Sequence, residues 1–153
     1  MTVTLNPLNV DNWEECAELK VGPTQEGMVA PNVWSIAEAC VRPESEIFAI
    51  CHNGEMVGFL MSLEHEGTET VELYRFMIAF EHQQSGYGLT AVQQFIEYQR
   101  AKEISPKKLV VKFLIENFSG KKLYEKAGFQ DTGELEENKE WRFTEHVYFM
   151  DLV

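Results

Sequence analysis

The chain has 153 residues, 44% of them hydrophobic and 12% aromatic, enough for one domain with a buried core and too apolar for a disordered chain. Its 25 acidic residues outnumber 13 basic ones and leave a net charge of −12, which argues against nucleic acid as a partner, favours cationic partners mildly, and also serves plain solubility. No apolar run approaches the roughly 20 residues that span a bilayer and no basic-then-apolar leader opens the sequence, so no membrane partner is expected and the chain is placed in the cytoplasm.

Three cysteines, Cys16, Cys40 and Cys51, show no CxxC spacing, and His52, His65, His82 and His146 are scattered. Semi-buried free thiols and no metal site are the expectation.

In chain order, Val3 and Leu5 alternate with Thr2, Thr4 and Asn6 and predict a short strand ended by Pro7. Asp11 with Glu14 at capping-box spacing predicts a helix whose inner face carries Trp13, Cys16, Ala17 and Val21. Residues 22–31 read as a loop of functional length, and a second helix follows Asn32 with Val33, Ile36, Ala37 and Cys40 inward until Pro43. Residues 46–51 and 55–63 are strand-like runs joined through Asn53-Gly54, a strong hairpin signal, and residues 70–80 form a further strand.

The next stretch, Gln83-Gln84-Ser85-Gly86-Tyr87-Gly88, follows that strand and opens a helix with Leu89, Val92, Phe95, Ile96 and Gln99 on one face. A strand-to-helix junction offers unpaired N–H groups and a partial positive charge to a phosphate, and glycine lets the backbone approach it. Glycine also ends strands and caps helices for structural reasons alone, so both readings stay open at this point. Residues 107–115 return to a strand, Asn117 caps a helix bearing Leu123, Tyr124 and Ala127, and Gly128 closes it. Strands over 129–133 and 141–152 complete the sheet, with the acidic residues 134–140 expected as a solvated hairpin tip.

A strand, Gln-x-x-Gly-x-Gly, an amphipathic helix, a strand and then the run from Asn117 through Tyr124 to Phe129 together resemble the GNAT acetyltransferase superfamily. The run Glu72-Leu73-Tyr74-Arg75-Phe76-Met77-Ile78 and the stretch 32–39 look most like its bacterial spermine/spermidine branch. The resemblance implies an α+β fold, a mixed and largely antiparallel sheet of about seven strands with helices on both faces. It implies acetyl-CoA as cosubstrate, its pyrophosphate on the N–H groups of Gln84, Ser85, Gly86, Tyr87, Gly88 and Leu89, with Gln83 fixing the turn. Phe76, Met77 and Ile78 would pair by backbone with the pantetheine arm, and Asn117 would contact the cofactor, cap the helix, or both.

The resemblance further implies that Tyr124 protonates the departing thiolate, although a packed ring is the plainer account of a buried tyrosine. Glu72 stands fourteen residues before Gly86, where some relatives carry a catalytic base; an exposed strand carboxylate is the alternative. Trp34, Glu38 and the loop 22–31 fall where relatives build the acceptor pocket. The implied activity is transfer of an acetyl group to a primary amine of a small cationic acceptor, a polyamine such as spermidine or spermine first, by direct attack in a ternary complex. Another amine and a non-catalytic acyl-CoA-binding module are the alternatives. Residues 79–82 depart from the acidic or polar residue many relatives place after the motif strand. A homodimer is expected from the relatives, with residues 147–150 serving either its contact or the internal sheet.

Overall fold

The computed structural model describes residues 2–152. Seven strands form one sheet: β1 (Val3–Pro7), β2 (Ser45–His52), β3 (Glu55–His65), β4 (Thr70–Ile78), β5 (Lys108–Leu114), β6 (Gln130–Asn138) and β7 (Phe143–Asp151). Their order is β1-β2-β3-β4-β5-β7-β6, antiparallel throughout except for parallel β4 and β5. Four helices, α1 (Trp13–Glu18), α2 (Asn32–Val41), α3 (Tyr87–Arg100) and α4 (Phe118–Ala127), cover it. Val92, Phe95, Ile96 and Tyr124 join one core cluster with Leu73, Leu109 and Val111. Cys16, Ile36 and Ala39 join a second with Phe59, Met61 and Met77, whose strand neighbours point the other way, so helices lie on both faces of the mixed sheet as expected.

Local chemistry accounts for the elements that the sequence signals best. Asn53 and Gly54 both take positive φ, 50° and 82°, the conformation that a two-residue hairpin between β2 and β3 demands. In α3 the buried residues Ala91, Val92, Phe95, Ile96 and Gln99 recur at helical spacing. In α4 the Asn117 side chain accepts from the Gly120 N–H, and Gly128 at φ 106° ends the helix.

Several expectations are corrected. Asp11 does not cap α1: the cap residue is Asn12, and the Asn9 Oδ1 accepts the N–H groups of Asp11 and Asn12 at 2.8 and 3.2 Å. Trp13 is 41% exposed, leaving Cys16 as the buried residue of that helix. On α2 the inward face is Asn32, Ser35, Ile36 and Ala39, while Val33, Ala37 and Cys40 are exposed. Asn32 is drawn inward because its Nδ2 donates to the Cys16 carbonyl at 2.9 Å, a polar anchor that hydrophobic periodicity cannot register.

The motif strand ends at Ile78, and residues Phe80–His82 make a single 3₁₀ turn. The acidic run is strand rather than tip: Glu134, Glu136 and Glu137 lie in β6, the exposed sheet edge, and the turn is residues 139–142. Charge on an edge strand discourages pairing with another chain. Residues 147–150 are internal, since β7 runs between β5 and β6. Cys16 and Cys51 are buried and Cys40 exposed, all three free. Among the described residues no helix is long and apolar enough to cross a membrane.

Candidate active site

The sheet opens where its two parallel strands part. β4 and β5 pair from Thr70 with Lys108 to Leu73 with Val111 and no further. Tyr74 is the extra residue of a bulge, because Met61 pairs with Arg75 and its neighbour Ser62 with Leu73. Beyond it β4 stays paired with β3 through Ile78 while its other edge is released.

Backbone alternation decides which groups face the split. The Ala79 N–H donates to the Val57 carbonyl on the β3 side at 2.8 Å. A Cβ on Gly58, in β3, would meet the Met77 carbonyl at 2.4 Å, so that carbonyl also faces β3. The N–H and C=O of Phe76 and Ile78 therefore face the opening. Of the three residues expected to offer backbone there, Phe76 and Ile78 do, while Met77 turns its backbone to β3 and packs in the second core cluster.

The opening continues as a cleft of about 470 Å³ that runs to the first turn of α3 and along α4, a volume ordinary for a small-molecule site. Phe76, Met77, Ile78, Gln83, Gln84, Gly86, Tyr87, Gly88, Leu89, Asn117 and Tyr124 all line it; Ser85, Glu72, Trp34 and Glu38 do not. Its turn is shaped by two left-handed residues, Gln84 at φ 62° and Gly86 at φ 83°. The Gln83 Nε2 donates to the Ile78 carbonyl at 2.9 Å and to the Gln25 Oε1 at 2.8 Å, tying the turn to the strand end and to the loop before α2. Gly88 lets α3 and α4 meet: a Cβ there would lie 2.9 Å from the Leu123 Cδ1.

Asn117 keeps a free hand. Its Oδ1 accepts the Gly120 N–H at 2.9 Å, and its Nδ2 has no acceptor among the described residues, so cap and cleft contact are compatible. Tyr124 packs its ring on Phe113 and Phe129, with centroids at 5.2 and 6.0 Å. Its hydroxyl has no hydrogen-bond partner among the described residues, and burial pushes its pKa well above that of an ordinary phenol.

The remaining expected residues are occupied elsewhere. Glu72 is buried, with a carboxylate oxygen 2.8 Å from the His65 Nε2. Glu38 is buried enough to raise its pKa, yet hydrogen bonds from Arg42 and Tyr74 and the charges of Arg75 and Arg42 outweigh this and hold it low. Trp34 is 65% exposed on α2. Among the described residues no group of three or more His, Cys, Asp or Glu is placed to hold a metal ion.

The loop 22–31, expected at the acceptor pocket, does line the cleft through Gln25, Met28 and Val29, whereas Val21 and two cations, Lys122 and Lys126, were not foreseen. The lysines are four apart and so share a face of α4, a pattern visible in the sequence once the helix is placed beside a phosphate turn. The loop residues carry no individual signal beyond the length of their loop and its place in the resemblance.

Among curated proteins none matches the chain by sequence. Solved structures share its fold. Spermidine N-acetyltransferase from Vibrio cholerae, in complex with CoA and spermine, superposes with TM-score 0.78 at 18% identity, over 98% of this chain and 95% of that one. The ribosomal L7/L12 alpha-N-protein acetyltransferase in complex with coenzyme A gives 0.81 at 10%, over 99% and 94%. A GNAT family acetyltransferase from Elizabethkingia anophelis with acetyl-CoA bound gives 0.72 at 19%, over 97% of each. Residues 10–129, which contain the split strand, the glycine turn, Asn117 and Tyr124, match the model of the acetyltransferase (GNAT) family, and the chain belongs to that family.

Proposed function

We propose that the protein transfers an acetyl group from acetyl-CoA to a primary amine of a small acceptor, by direct attack in a ternary complex. The observation that carries this reading is the Tyr124 hydroxyl, unpartnered among the described residues, in the same cleft as the glycine turn and the released edge of β4. A protein that only binds acyl-CoA has no use for a proton donor there.

Acetyl-CoA supplies an acetyl group on a good leaving thiolate. The residues present fit it: Gly86 gives the turn its left-handed conformation, Lys122 and Lys126 offer charge to phosphates, and the Asn117 Nδ2 and the Phe76 backbone offer polar partners to an amide-bearing arm. The Ile78 N–H, facing the split, would stabilise charge on the thioester oxygen, and Tyr124, kept neutral by burial, holds a proton for the sulfur. No carboxylate is among the described lining residues, so the ammonium proton of the acceptor leaves through water; Glu72, held by His65, would receive it only along such water.

For the acceptor, the net charge of −12 and the spermine in the Vibrio structure of like fold speak for a polyamine such as spermidine or spermine, while a cleft with no carboxylate among its described lining residues speaks for another small amine. A panel of polyamines, monoamines, amino acids and aminoglycosides incubated with acetyl-CoA should release CoA thiol with at least one member. Release no faster than background hydrolysis for every amine would sink the transferase reading.

A further inference from the structure

Val21, Met28 and Val29 of the loop and Phe76 and Met77 of β4 line the cleft, and so does Leu123 beside Lys122 on α4. All six are apolar. None of the chain's 25 acidic residues is among the described lining, and the full charges there are those of Lys122 and Lys126. Glu38, where a carboxylate for a cationic acceptor was expected, already accepts from the Arg42 Nε at 2.5 Å, the Tyr74 hydroxyl at 2.9 Å and the Arg75 Nη2 at 3.3 Å.

The loop part of this wall is built in place. The Gln25 Oε1 accepts from the Gln83 Nε2 at 2.8 Å and from the Gly22 N–H at 3.1 Å. The Phe80 N–H donates to the Lys20 carbonyl at 2.9 Å, and a Cβ on Gly22 would lie 2.7 Å from the Phe80 ring. Val21 and Val29 pack on the same core cluster as Met77. A wall fixed at both ends and underneath presents its side chains as a surface rather than as a loose flap.

We infer that the acceptor is a monoamine with an apolar body, aliphatic or aralkyl, and not a polycation. The inference rests on the transferase reading and narrows it. A second ammonium of a polyamine would lose water against this wall with no carboxylate to replace it, in a cleft whose own charges are positive. An alkyl or aryl body gains from the same surface. In the step itself the amine nitrogen bonds the acetyl carbon and the carbon–sulfur bond breaks. The ammonium proton passes to water before attack, a second nitrogen proton passes to water as the amide forms, and the thiolate takes the Tyr124 proton, which solvent restores.

Two measurements on the whole protein test it: calorimetric binding of phenethylamine, hexylamine and spermidine to the complex with CoA, and kcat/KM for the same amines with acetyl-CoA. Phenethylamine should bind at least about tenfold more tightly than spermidine and lead it in kcat/KM by a similar factor. Met28→Glu, on a partly exposed loop, should cut that preference at least about tenfold, and Met28→Ala should weaken phenethylamine without helping spermidine. Spermidine equal or better in both measurements overturns the inference while the transferase reading stands. Tighter phenethylamine binding with no acetylation of any amine upholds the preference and removes the transferase reading. Faster reaction of butyryl-CoA than acetyl-CoA, with no discrimination among amines, gives the wall to the acyl chain and overturns the inference.

Discussion

A tyrosine hydroxyl sealed in a core needs a protein partner, because leaving it without one costs about 1–3 kcal/mol, whereas one that opens on a cleft can be served by water or ligand. Tyr124 has none among the described residues, while its ring is clasped by Phe113 and Phe129. Ring packing alone would be served as well by phenylalanine. Tyr124→Phe should therefore keep CoA affinity within about twofold and lower kcat by roughly 10²; single-turnover rates and calorimetry separate the two, and an unchanged kcat removes the acid role. The pH dependence follows from the same burial. A phenol titrates near pH 10 when unfolded and higher in this fold. It stays loaded throughout the neutral range, so the rate should climb as the acceptor ammonium deprotonates and should not fall before about pH 10. The linkage has the matching sign: stability present below the unfolded phenol's pKa is lost as pH rises through it toward the folded value.

At the scale of elements, the glycine turn and α2 show what a sequence can and cannot announce. Gly86 sits at φ 83° in the turn that opens α3, a conformation a β-branched residue resists, so Gly86→Val should weaken CoA binding at least about tenfold in calorimetry; equal affinity would refute the phosphate turn. That turn, the cap Asn117 and the stop Gly128 were legible because each is written in local backbone chemistry. The phase of α2 was not, because Asn32 and Ser35 are buried by tertiary neighbours while Val33 is left 55% exposed. Val33→Asp should leave stability within about 0.5 kcal/mol, and Ile36→Asp, placing a charge against the second core cluster, should cost several times more in chemical denaturation. Equal costs would return α2 to the predicted phase. For the same reason the sequence reads the second half of β6, residues 134–138, as a tip: its acidic residues follow no buried face, since the whole strand except Asn138 is exposed. The cleft divides likewise, the strand, turn and cap being local signals and Val21, Met28 and Val29 becoming lining only through the hydrogen bonds of Gln25 and Gly22.

Across the whole molecule the charge distribution sets a conflict that a salt titration can read. The chain carries −12, and the phosphates of CoA are anions, so the two repel at a distance. Inside the cleft the sign reverses, with Lys122 and Lys126 in the lining and no carboxylate among its described residues. The two terms have different ranges. At about 0.01 M ionic strength the screening length is about 30 Å, comparable with the protein itself, and the net charge governs the approach; at about 0.15 M it is about 8 Å and the remote charges fade. The lysines act at contact distance, where mobile ions screen least. Raising the salt between those limits should therefore increase the association rate of CoA in stopped-flow fluorescence, the opposite of a protein that steers anions with its whole surface. Lys122→Ala with Lys126→Ala should raise the dissociation rate and leave the salt slope of association nearly unchanged. A wild-type association rate that falls with salt would mean that the lysine pair governs the approach as well, and that the net charge of the chain has no part in how its cosubstrate arrives.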